Sequence, residues 1–247
     1  MGRYGTRIRN RQTGSIQIDD LYANMALRSK TTLTVSAGLV GDNLRSAAFT
    51  FVASELPVVA FQCSAPTFLA WVTRDNGSNS WTFTFWSYTA SASTTVACYE
   101  FGEPPVLGPG WGMRIMRAGQ VKYDSRHRYA RIASTLRGEF DTASDPGSSG
   151  PAANLPAGAT YAIVMGSRTG RSNRLITPVA GAQNGYNDNM SAAALGVAVN
   201  GASVSSQYLL TQFSTTFFPV PPSPPPPPGY NYRQPQYSWA VLDVTGF

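Results

Sequence analysis

The side chains that most often do chemistry are sparse in this sequence. His127 is the one imidazole, Cys63 and Cys98 are the two thiols, and thirteen acids are spread over 247 residues. Nucleophilic catalysis needs a base beside its nucleophile in space. His127 lies in Asp124-Ser125-Arg126-His127-Arg128, which sets an acid, a serine and a base close together along the chain. Adjacent residues of an extended chain point to opposite faces, so this order does not assemble a triad. Glycoside cleavage needs two carboxylates flanking one bond. Asp19 and Asp20 are adjacent, but no motif selects a pair, so a polysaccharide depolymerase stands as an alternative that no motif supports. A zinc site needs four ligands, and Asp141, Asp145 and Asp188 lack the alternating spacing of a calcium loop. No Gly-rich loop opens a helix, so no nucleotide cofactor is indicated. The residues therefore point to no catalytic, metal or cofactor site. Cys63 and Cys98 fall in candidate strands of one half, either as buried thiols or as one disulfide.

Residues suited to binding are more conspicuous. Trp111 follows a Pro/Gly stretch, Tyr186 lies in Asn184-Gly185-Tyr186-Asn187-Asp188, and Tyr230 and Tyr232 follow a proline run. Flat rings in loops bury area at low entropic cost and suit contacts with sugar or protein. The competing reading is that they anchor loops to their own domain. Seventeen of the nineteen cations are arginine, with only Lys30 and Lys122 besides. A net charge of +6 raises the question of nucleic acid. Phosphate binding, however, draws on dense clusters of both cations, whereas arginine alone marks protein interfaces. No nucleic-acid partner is expected.

The elements that must hold these residues are strands. Charged residues make up only 13% of the chain, while 23 Gly and 18 Pro punctuate it, a composition for short strands and turns rather than helices. An internal repeat opens each half. Tyr4-Gly5-x-Arg7-Ile8 matches Trp111-Gly112-x-Arg114-Ile115, Gly14 matches Gly119, Asp19 matches Asp124, and Leu27 matches Ile132. Alternation around a glycine turn is the signature of a β-hairpin, and an isolated hairpin is marginal in water, so each copy must open a larger sheet. The expected fold is all-β, with two tandem antiparallel β-sandwich domains over residues 1–103 and 111–247. Residues 104–110 form a Pro/Gly linker. The second domain carries long polar loops at 139–156 and 180–194 and a Pro-rich excursion at 219–229. Asn76-Gly77 and Asn200-Gly201 are expected hairpin turns. No apolar run is long enough to span a membrane, and no secretory leader follows the basic N-terminus. The chain reads as one folded in the cytosol yet composed like an extracellular β protein.

The opening Tyr4-Gly5-x-Arg7-Ile8-x-Asn10, its glycine turn and Ile16-Gln17-Ile18-Asp19 resemble the start of a family of tailed-bacteriophage virion proteins, which begin YGxxIxNxxGxxxxD. Trp111–Ser125 looks closer still, and Ala240–Gly246 is similar to that family's ending. The resemblance implies a structural component of the distal tail, a tail tip, baseplate or tail-fibre part. Such a protein is assembled in the host cytoplasm beside other tail proteins and works in the virion, with possible contact to a host surface receptor or glycan. It brings no catalytic residues. Arginines crowd both repeats, and such rows on a sheet face repel unless acids of another chain or domain meet them. Arg7, Arg9, Arg114, Arg126 and Arg128 are therefore expected at an interface, in a homotrimer.

Overall fold

The alternating stretches form strands, and no helix occurs among the described residues. The structure is a computed structural model that describes residues 7–9, 16–19, 25–35, 37–38, 44–89, 94–167, 169–179, 185–218 and 230–247. The first half supplies β1 (Arg7–Arg9), β2 (Ile16–Asp19), β3 (Ala26–Thr34), β4 (Ala37–Gly38), β5 (Leu44–Val52), β6 (Val58–Gln62), β7 (Thr67–Asp75), β8 (Ser80–Tyr88) and β9 (Thr95–Gly102). The second supplies β10 (Arg114–Arg117), β11 (Gln120–Asp124), β12 (Arg131–Glu139), β13 (Ala153–Asn154), β14 (Tyr161–Ser167), β15 (Gly170–Val179), β16 (Gly185–Asn200), β17 (Ser203–Phe218), β18 (Tyr230–Gln234) and β19 (Gln236–Asp243).

Two hairpins stand apart from two large antiparallel sheets. One large sheet runs β12-β19-β14-β6-β9-β3, and the other β13-β17-β16-β7-β8-β5-β4, with β15 on β16 and β18 on β15. Both sheets cross from one half to the other, through Ile163 opposite Phe61 and Val197 opposite Thr67. A core cluster between the sheets draws on both halves, with Phe61, Phe85 and Cys98 packed among Ile163, Leu195, Tyr208, Trp239 and Val241. The inward alternation of Phe83 and Phe85 puts both rings in this core, where they meet Phe51 and Phe49 edge-on at 5.9 Å. Such pairs add to the burial of their area.

The other face of the six-stranded sheet is apolar as well. Ala60, Tyr99, Phe101, Ala162, Leu242 and Val244 are buried there, with Leu27, Ala130 and Phe247 packed against them. Leu27 donates to the carbonyl of Arg128 and Ala130 to that of Met25, joining the starts of β3 and β12.

The duplication seen in the sequence is also geometric. Arg7 lies opposite Asp19 and Arg114 opposite Asp124, and both hairpins slip register after the second residue of the first strand. β3 and β12 each bulge at their third residue, Arg28 and Ala133. The turn of the second hairpin holds both central residues, Ala118 and Gly119, at positive φ (47° and 79°). That is the type I′ geometry whose twist fits a two-residue hairpin. Asn200-Gly201 turns β16 into β17 with Gly201 at φ 56°. At Asn76-Gly77 the chain also reverses, but the left-handed residue is Asn79 (φ 49°). The Asp75 carboxylate organises that turn by accepting from Gly77 N and Ser78 Oγ.

One segment departs from the expected loops. From Gly185 onward the Asn-rich stretch is the first part of β16, paired with β15 on one side and β17 on the other. The small and polar side chains that read as loop are tolerated because partners on both sides satisfy the backbone. Residues 180–184 and the proline run 219–229 lie outside the described residues.

Candidate functional site: an aromatic cleft at the seam of the halves

β7 and β16 pair at one position only, Val197 opposite Thr67. Beyond it the seam holds a cleft of about 300 Å³, with Phe68, Ala70, Trp71 and Trp86 contributed by the first half. Gly170, Ser172, Ala192, Ala193, Ala194, Thr211, Tyr232 and Gln234 come from the second. Phe68, Ala70, Ala193, Ala194 and Thr211 are buried, while Trp71 and Tyr232 are 46% and 63% exposed.

A local irregularity delivers each wall. Along β7, strict alternation would put Trp71 on the face opposite Phe68. The register slips between Leu69 and Trp71, so Phe68 faces Trp86 and Trp71 faces Thr84, two positions on one side of β8. A bulge re-aims a side chain in this way. Trp71 then meets Trp86 edge-on at 5.1 Å, and Trp86 meets Phe68 at 5.8 Å. The indole N–H of Trp86 is shielded from solvent without an acceptor. On the far wall β18 sets Tyr232 opposite Ser172 and Gln234 opposite Gly170. Gly170 is required by proximity, because a Cβ there would lie 2.4 Å from the Ala193 carbonyl oxygen. Among the described residues no carboxylate lines the cleft, and the one cation there, Arg171, turns its guanidinium to the carbonyls of Thr142 and Ala143 and over the ring of Tyr208.

A second polar cluster organises the hairpin β10–β11. Asp124, buried on that hairpin, accepts from Arg114 Nε at 3.0 Å and from Arg126 Nε and Nη2 at 2.9 and 2.6 Å. The hydrogen bonds from Arg126, and then that from Arg114, hold its carboxyl well below the usual carboxylate range. The same arginines reach the linker. Arg114 donates to Leu107 O, Arg126 to Gly108 O, and His127 Nε2 bonds Pro105 O. Residues 105–108 are thereby strapped to the hairpin. A Cβ at Gly112 would come within 2.9 Å of Arg126 Cγ, which accounts for the glycine after the aromatic in this copy of the repeat.

Of the residues singled out from sequence, Tyr232 reaches the cleft. Trp111 is fully exposed beside the linker, away from the cleft. Tyr186 and Tyr230 lie in strands rather than loops, Tyr186 opposite Phe218 and Tyr230 opposite Arg174. For Arg114 and Arg126 the acid is supplied by their own hairpin. Arg7 and Arg9 form β1, and Arg128 is exposed and gives its carbonyl to Leu27. Cys63 and Cys98 are free buried thiols, and burial pushes the Cys98 thiol up. Trp71 and Trp86 were not singled out, because the bulge that gathers them leaves no mark on the hydrophobic pattern. No family model, curated protein or solved structure matches this chain.

Proposed function

We propose that this chain is a non-enzymatic structural component of a bacteriophage tail, a tail-tip or tail-fibre part that assembles as a homotrimer and contributes to host attachment. The observation that carries the reading is the hairpin that opens each half. The residues that resemble tail proteins, from the Arg–Ile strand to the closing Asp, are the ones that pair in the same register, with the same slip, in both copies. A motif kept twice as one geometric unit supports reading it as a building element of the fold. Mass spectrometry of purified virions, with the identity of the neighbouring genes, tests it. The chain is expected among the tail proteins. Its absence from the particles, or neighbours that are all cellular enzymes, sinks the reading.

A further inference from the structure

We infer that the seam cleft is a binding site for a neutral pyranose unit of a surface polysaccharide. The inference rests on the proposed tail function only for the source of the sugar, since the site itself is built from this chain.

The chemistry of the walls selects the ligand. A pyranose has apolar C–H faces and a hydroxyl edge, so it is recognised by an aromatic platform together with a few amide or hydroxyl partners. Trp71 of the first half and Tyr232 of the second line the cleft as exposed rings. Ser172, Thr211 and Gln234 add neutral hydroxyl and amide groups to the lining. The small residues Ala70, Ala193, Ala194 and Gly170 in that lining leave room for a ring to settle. About 300 Å³ accommodates one sugar ring rather than an extended chain.

Charge decides the class. Among the described residues no acid lines the cleft to bind a cationic group or to cleave a glycosidic bond. Arg171 is turned away into carbonyl contacts, so no free cation among those residues selects a uronate. A proline-rich peptide also docks on aromatic grooves. It needs a groove several residues long, whereas this cleft encloses only about 300 Å³.

The test is a titration of the full chain with neutral hexose and N-acetylhexosamine oligosaccharides, uronate oligosaccharides and a proline-rich peptide, read by tryptophan fluorescence. Saturable binding of a neutral oligosaccharide is expected, weakened at least tenfold by Trp71→Ala and by Tyr232→Ala and unchanged by Trp111→Ala. Tyr232→Ala at an exposed position keeps the test valid if Trp71→Ala loses its fold, and thermal melts report which has happened. Binding of uronates or of the peptide alone, no saccharide response at millimolar concentration, or neutral-sugar binding that survives both cleft variants overturns the inference. A chain present in virions that binds no sugar defeats this inference and leaves the tail reading standing. A sugar-binding chain missing from virions does the reverse.

Discussion

At the scale of single residues, the cost of a conformation and the state of a carboxyl are the quantities open to test. Ala118 holds a left-handed φ of 47° in the I′ turn of the second hairpin, a conformation that disfavours a Cβ. Ala118→Asn is expected to stabilise the protein by about 0.5–1 kcal/mol, since Asn tolerates that region and suits this turn. A chemical-denaturation midpoint that falls instead would show the strain to be absent. Asp124 is the second case. Its folded carboxyl titrates below the unfolded value of about 3.9, so its stabilisation is complete above that value and is lost as pH falls through the folded one. Asp124→Asn should therefore lower the melting temperature by a constant amount from about pH 5 to 8. The gap to the native chain should narrow only in stronger acid. A gap that closes already at pH 5 would point to another titrating group. The Arg–Asp repeat itself was legible in the sequence, because like residues recur at matched spacing. What each arginine touches was not, because Arg126 and its carbonyl partner Gly108 are eighteen residues apart.

Between residue and molecule lie the strands and their irregularities. The two hairpins and the Asn200-Gly201 turn followed from alternation and turn chemistry, which are local. The Asn-rich part of β16 did not, since its strand state is fixed by pairing with β15 on one side and β17 on the other rather than by its own side chains. The cleft was equally hidden, because a single inserted residue at Ala70 exchanges which face Trp71 occupies. Gly170→Ala probes this level directly. With a Cβ 2.4 Å from Ala193 O, β15 must move off β16 or bend, an overpacking cost of about 1–3 kcal/mol. Unchanged stability by denaturant titration would mean that β15 yields freely at that point. Deleting Ser223–Pro228, within the proline run ahead of β18, separates two roles for this region. Loss of adsorption by intact particles supports host contact, failure to assemble tails supports a locking role, and normal behaviour in both assays excludes each of them.

For the molecule as a whole, the shared core decides what can fold alone. The cluster around Phe85, Ile163 and Trp239 belongs to both halves, and each large sheet loses strands if the chain is cut at the linker. Residues 1–103 and 111–247 made separately are expected to show weak near-ultraviolet dichroism and to regain it on mixing. Two halves that each melt cooperatively on their own would show that the seam adds little. Oligomeric state is the companion measurement. A homotrimer by light scattering fits the arginine-rich hairpins as contact elements, whereas a stable monomer counts against it. The seam carries one more consequence. The first half passes from β6 to β7 through Cys63–Pro66 alone, while the corresponding passage from β14 to β16 contains β15, on which β18 is laid. Among the described residues the duplication therefore gives one seam cleft and not two, and the valency of the proposed assembly would equal its number of chains. In the proposed trimer, three such sites in fixed array would grip a repeating polymer about 10²–10⁴-fold more tightly than any one of them. A particle whose single contacts each release quickly would then move along the polymer without losing hold of it.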